Sequence, residues 1–253
     1  MMDSRTGRWT LAILAHVALI AAWYLFVHLG NVPKFVMPSP EATLNALLQP
    51  NYSWWTNIAV TGTEIFGGYL LALVIGVALA LVFTWSKMLE AFFMPLLVSL
   101  NMIPKVALGP LIIVWFKYGV LPNSIMAFSI AVFPILLTTA RGLREIEPEL
   151  LDLVRSLKGS RWQLFTKIQL PGALPYIFSG MKVAAILAVA GAVVGEFLGS
   201  DKGLGYLMLQ VQVTLDTPAM FMAVLLITFI GMLLYGTVLA LERAFVVPDA
   251  RVS

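Results

Sequence analysis

The sequence predicts an all-α membrane protein of six transmembrane helices with both termini in the cytoplasm. Three observations carry this. Hydrophobic residues make up 60% of the 253-residue chain and charged residues 11%, against roughly 45–50% and 25% in soluble domains. The apolar residues gather into runs long enough to cross a hydrocarbon core of roughly 30 Å. The cationic residues collect on one side of those runs. One core could not hide this much apolar surface from water, so the bilayer is the solvent. There is no cysteine, which excludes a disulfide framework and a thiolate metal site. The whole chain, 1–253, reads as a single transmembrane domain.

The first run covers about 9–29, behind Arg5 and Arg8. Its length spans a bilayer, whereas signal-peptide apolar regions run about 7–15 residues and end at a small-residue cleavage site. No Ala-x-Ala occurs between Trp9 and Gly30, so a retained first helix is expected. In the segment 30–56, Ser39 suits an N-cap and Pro40 the first helical position. Leu44, Leu47 and Leu48 follow at helical spacing. A short interfacial helix is expected there, a strap over the first two spans rather than a ligand contact.

Further spans are expected at about 57–83, 91–116, 123–140, 178–199 and 218–241. The third is irregular: Pro104, Gly109 and Pro110 fall inside it. Each internal proline removes a helix hydrogen bond, and broken backbone at membrane depth is tolerated only inside protein or beside a wet cavity. The third span is therefore expected at a helix interface or along a pathway. In the fifth, Gly191, Gly195 and Gly199 make two overlapping Gly-xxx-Gly units. That spacing serves close helix approach, either within the chain or across a dimer seam.

With the N-terminus inside, the inner segments hold Arg5, Arg8, Lys87, Arg141, Arg144, Arg155, Lys158, Arg161, Lys167, Lys182, Arg243 and Arg251. The outer segments hold only Lys34, Lys117 and Lys202. This asymmetry sets the orientation.

Glu64, Lys105 and Glu196 lie in predicted spans. An intramembrane charge costs about 2.5–3.5 kcal/mol at mid-bilayer on insertion scales and is a functional candidate by default. Lys105, nearest the middle, has two readings: an ion pair with Glu64 or Glu196, or a pathway cation for an anionic solute. Asn101, Trp115 and Glu196 are further pathway candidates. His16 and His28 lack a second ligand at helical spacing and read as packing residues.

The polar stretch 141–177 is too long for a turn and too short for a domain. Leu150, Leu153, Val154 and Leu157 form one face of an amphipathic helix, expected over 150–158. Gly159-Ser160 is expected to turn the chain, a second helix to run to Ile168, and Leu170-Pro171 to stop it. Such a hairpin could lie passively on anionic lipid or be a lever moved by a soluble partner.

The run from Asp152 to Pro171 resembles the EAA loop of bacterial ABC importer permeases. Asp152, Leu153 and Val154 match its acidic-small-small start, and Ile168, Leu170 and Pro171 its end. The family glycine falls by count on Lys158, one residue before Gly159. Met37-Pro38-Ser39-Pro40, Pro110-Leu111, Trp115-Phe116, Phe133-Pro134, Leu174-Pro175 and Gly203-Leu204-Gly205-Tyr206 are similar to the nitrate/sulfonate/taurine branch of those permeases. The resemblance implies a type I importer architecture in a bacterial inner membrane. It implies a second permease copy, making a homodimer, and an extracytoplasmic substrate-binding protein. It also implies a soluble ABC ATPase dimer that holds the ATP and Mg. Asp152, Leu153, Val154, Arg155, Leu157, Lys158, Gly159, Trp162 and Pro171 would then form the ATPase-coupling segment. This chain has no Gly-xxxx-Gly-Lys-Ser/Thr phosphate loop, so no cofactor is expected on it. The implied solute is a nitrate-, sulfonate- or taurine-like anion, or a pyrimidine- or flavin-like aromatic.

Two other classes compete. An intramembrane enzyme should carry His-Glu-x-x-His, Gly-x-Ser-x-Gly or paired intramembrane aspartates, and none occurs. A purely structural membrane subunit would need neither the coupling pattern nor a broken third span. No feature suggests nucleic acid; membrane lipid is the surrounding partner.

Overall fold

The computed structural model describes residues 5–145 and 148–247, and these fold as helices and connecting turns without a strand. In chain order the helices are α1 (Arg5–Leu29), α2 (Pro40–Asn45), α3 (Trp54–Trp85), α4 (Lys87–Met102), α5 (Lys105–Phe116), α6 (Val120–Gly142), α7 (Pro148–Ser156), α8 (Arg161–Leu164), α9 (Leu170–Gly199), α10 (Leu204–Val213) and α11 (Thr217–Phe245). Four stretches are long and apolar enough to cross a membrane: Pro50–Trp85, Val120–Gly142, Arg161–Gly199 and Thr217–Phe245. A fifth candidate is the bent pair α4–α5, and the apolar part of α1, Ile13–Leu29, is shorter.

The core is α6 held between α3 and α9, and glycines set how closely they lie. A methyl group on Gly68 of α3 would stand 2.6 Å from the Ser124 carbonyl oxygen of α6. One on Gly191 of α9 would stand 2.7 Å from Ala127 Cα, and one on Gly195 3.0 Å from Asn123 Cα. Close backbone approach replaces the hydrophobic drive that lipid cannot supply. The Gly-xxx-Gly positions 191 and 195 are therefore filled by intrachain packing. Ala127, Ala131, Ala184, Ala185, Ala188 and Ala192 are fully buried along the same seams.

The strap forms as its caps predict. Ser39 Oγ accepts from Ala42 N at 3.2 Å, with Pro40 in the first turn. It ties α1 to the body: Trp23 Nε1 donates to Pro38 O at 3.0 Å, and its ring lies 5.9 Å from Phe221 of α11.

The third span is broken where its prolines fall: residues 91–116 are parts of two helices meeting at 87°. Pro104 lacks an N–H and disfavours helical geometry at the preceding residue. Ile103 accordingly takes φ −64°, ψ 126°. Pro95 and Pro110 sit inside α4 and α5 without ending them.

The expected stop at Leu170-Pro171 is corrected. The chain is helical without interruption from Arg161 to Gly199, through a π-turn over Phe165–Gln169. Widening that turn accommodates a proline that cannot donate to it. Finally, α10 lies between the fifth and sixth predicted spans, outside any predicted helix.

Candidate functional site

The candidate coupling segment is built around one turn. Helix α7 runs over Pro148–Ser156 rather than 150–158, so Leu157 and Lys158 are turn residues. Lys158 adopts φ +53°, and Gly159 N donates to Val154 O at 2.9 Å. A left-handed residue followed by this six-to-one bond is a Schellman C-cap. The left-handed residue in such a cap is usually glycine, because other L-residues pay about 1–2 kcal/mol there. Here Lys158 takes it, at the position where the EAA pattern has glycine. Gly159 supplies the missing side chain instead: a Cβ there would meet Val154 Cγ1 at 2.7 Å. Two tasks that one glycine could perform are divided between neighbours.

The second helix begins at once. Ser160 Oγ accepts from Gln163 N at 3.2 Å, and Gln163 Oε1 accepts from Ser160 N at 2.8 Å. This reciprocal capping box fixes the start of α8. Trp162 is exposed while Phe165 is buried, 5.6 Å from the Trp85 ring at the end of α3. Leu157 is 73% exposed. Asp152, Lys158 and Pro171 are exposed as well. The turn thus presents a mixed apolar and charged surface outward. The side chains of Leu153 and Arg155 lie outside the described residues.

Ion pairs flank this surface. Arg144 Nη2 meets Glu90 Oε1 at 2.6 Å, and Arg141 Nε meets Glu145 Oε2 at 3.1 Å. The Arg141 bond holds the Glu145 carboxyl below its ordinary range.

The pathway candidates separate into two groups. Asn101 and Lys105 stand on either side of the α4–α5 break, and Trp115 is exposed near the end of α5. Lys105 Nζ donates to Leu100 O at 3.0 Å. It reaches back over the break to the last carbonyls of α4, where a cation is favoured. Of the two readings for Lys105, the ion pair with Glu64 or Glu196 is not the contact it makes. Glu196 lies elsewhere. Gly109 of α5 packs against Leu198 of α9. Glu196 is two residues from Leu198, roughly 200° around the helix, and faces α3 and α10.

There it completes the start of α10. A helix opens with N–H groups that no carbonyl within it can reach. Gly203 N donates to Asn57 Oδ1 and Leu204 N to Thr61 Oγ1, each at 2.8 Å. Gly205 N and Tyr206 N both donate to Glu196 Oε2, the latter at 3.2 Å. Sequence reading missed this because the partners lie up to 146 residues away. The pair of Lys182 Nζ and Glu242 Oε1, 3.1 Å apart and largely buried between α9 and α11, was missed for the same reason.

Comparisons with known proteins agree with one another. Residues 45–247 match the family described as binding-protein-dependent transport system inner membrane component. A probable ABC transporter permease protein of Haemophilus influenzae is 35% identical over 228 residues, covering 90% of this chain and 93% of that one. The riboflavin transport system permease protein RibX of Chloroflexus aurantiacus is 35% identical over 90% of this chain and 86% of its own. An inward-facing structure of the MetNI methionine ABC transporter superposes with a TM-score of 0.59 at 20% identity. That match covers 76% of this chain and 94% of that one, and it supports the fold.

Proposed function

The chain belongs to the binding-protein-dependent transport system inner membrane components, and from that premise we propose that it is one half of a solute path driven by ATP on other subunits. It is an ABC-type transport permease and not itself an enzyme. Two copies would form the path, with six crossings each, both termini in the cytoplasm of a bacterial cell and the membrane being the inner one. A separate ATPase dimer would hold ATP and Mg, and an extracytoplasmic binding protein would deliver the solute. Asn101 and Lys105 at the α4–α5 break and Trp115 near the far end of α5 would line the path, with Glu196 behind it on α9.

The observation that carries this reading is the capped turn at Lys158–Ser160. Its surface is exposed, and its second helix continues unbroken to Gly199. A surface helix that only rested on lipid would not need a jointless connection through the membrane. The solute we favour is a small aromatic nitrogen heterocycle, the chemistry of the riboflavin relative, with the exposed Trp115 able to stack on it. A sulfonate- or nitrate-like anion is the alternative, attracted by Lys105.

The experiment is reconstitution of the full complex with Leu157→Asp. Leu157 makes no core contribution at 73% exposure, so folding should be unchanged. Binding-protein-stimulated ATP turnover should fall about tenfold or more, equivalent to at least about 1.4 kcal/mol of lost coupling. Stimulated turnover equal to the unaltered complex would sink the coupling assignment.

A further inference from the structure

Glu64 on α3, Asn123 on α6 and Glu196 on α9 meet in the interior, each no more than 1% exposed. The two carboxyl groups adjoin: Thr61, which bonds Glu196, lies one turn before Glu64 on α3, and Asn123, which bonds Glu64, packs against Gly195 beside Glu196. The donors around them are shared unequally. Glu196 accepts from Thr61 Oγ1 at 2.5 Å and from the amides of Gly205 and Tyr206. Glu64 accepts one bond, from Asn123 Nδ2 to Oε1 at 2.8 Å, and its Oε2 has no donor. Among the described residues the further charge that bears on Glu64 is Asp201, which is also acidic.

A buried carboxylate oxygen without a donor is costly, and two adjoining buried carboxylates cannot both stay ionised. One hydrogen removes both difficulties. Placed on Glu64 Oε2, it turns the orphan acceptor into a donor, with the Glu196 carboxylate as the neighbouring acceptor. Glu196 then keeps the negative charge that the start of α10 favours. We propose that Glu64 and Glu196 share a single proton held on Glu64, and that this acid–carboxylate pair is the seat that fastens α10 to α3, α6 and α9.

The glycines around the seat fit this role. A Cβ on Gly205 would stand 2.8 Å from Glu196 Oε2, and one on Gly203 would overlap the same carboxyl group. Gly203 also sits at φ +112°, where a side chain is strained. These two residues let a carboxylate enter the first turn of α10. The seat does not depend on which solute is carried.

Two measurements on the full chain in membranes test the assignment. Infrared spectroscopy separates the carbonyl stretch of a protonated carboxylic acid from ionised carboxylate bands. A buried-acid band is expected in the unaltered protein at neutral pH and should be lost in Glu64→Gln. The chain has no cysteine, so a nitroxide on Gln212→Cys reports the mobility of α10 alone. Glu64→Gln retains a neutral donor and should leave the label's spectrum unchanged. Glu64→Ala and Glu196→Gln should each mobilise it. The proposal is overturned if no acid band exists, if the band survives Glu64→Gln, or if Glu64→Gln loosens α10 as much as Glu64→Ala does.

Discussion

Replacing Gly191 by valine tests the packing that organises the whole molecule. The hydrogen of Gly191 faces α6, and a Cβ in its place would lie 2.7 Å from Ala127 Cα, 3.1 Å from Ala127 N and 3.1 Å from Met126 O. All three atoms are backbone, so no side chain can swing away. Comfortable carbon–carbon separations are about 3.5–4.0 Å, which requires α6 and α9 to part by roughly 0.8–1.3 Å. A gap of that size forfeits about a quarter to a half of each dispersion contact along the seam. Overpacking costs about 1–3 kcal/mol, and the two further carbons of valine place this site at the upper end, about 3 kcal/mol. For a chain of this size that corresponds to a fall in Tm of roughly 6–12 °C. Intrinsic fluorescence of the seven tryptophans during thermal unfolding in detergent reads it. Gly172 and Gly236 are internal controls, since a Cβ on either meets nothing within 4 Å. Alanine there should be neutral or gain up to about 1 kcal/mol from helix propensity. If Gly191→Val unfolds at the same temperature as Gly236→Ala, backbone contact at position 191 does not hold α6 to α9.

Three other outcomes are expected. Lys158→Gly relieves a left-handed residue at about 1–2 kcal/mol and returns about 0.5–1 kcal/mol to unfolded-chain entropy. Hydrogen exchange at the Gly159 amide should therefore slow, whereas Gly159→Ala, which crowds Val154, should quicken it. Lys182→Met leaves Glu242 buried without this partner and should cost about 3–5 kcal/mol. Lys182→Met with Glu242→Gln should recover most of that, and a neutral single variant would contradict the pairing. At Glu145 the folded-state carboxyl titrates below its ordinary range because Arg141 bonds it. A lowered folded value means the pair contributes above the ordinary carboxylate range and is lost as pH falls through the folded value. Protection factors for amides at the end of α6, corrected for intrinsic exchange, should thus fall on acidification, and Glu145→Gln should remove that dependence.

What the sequence disclosed, and what it withheld, divides by range. Ser39 and Pro40 signal α2 because the cap and the helix are neighbours. Pro104 marks a break because its ring acts on the residue before it. The bend of 87° is not written there, since Gly109 against Leu198 helps to fix where α5 lies. Leu170-Pro171 reads as a stop by local rules, yet the π-turn before it absorbs the proline and the helix continues. Gly203-Leu204-Gly205 reads as loop punctuation, because the groups that cap α10 come from Asn57, Thr61 and Glu196.

The continuous helix changes how the turn can act. Arg161–Gly199 comprises 39 residues, roughly 58 Å at 1.5 Å per residue. The hydrocarbon core takes only about 30 Å of that, so close to half the rod projects beyond it. Arg161 and Lys167 lie in the projecting part, on the side of Arg141 and Arg144. A stop at Pro171 would have placed a joint between the proposed docking surface and the membrane, and motion at Trp162 would have been taken up by bending there. With the π-turn in its place, the capped turn at one end and the Glu196 carboxylate at the other belong to one element. A displacement of the turn must then either tilt the whole rod against α6, where Gly191 and Gly195 leave no slack, or carry α6 with it. If the turn is the docking surface proposed above, the tight α6–α9 seam and the unbroken helix make the moving part a packed helix pair, with α10, bonded to Glu196, carried along.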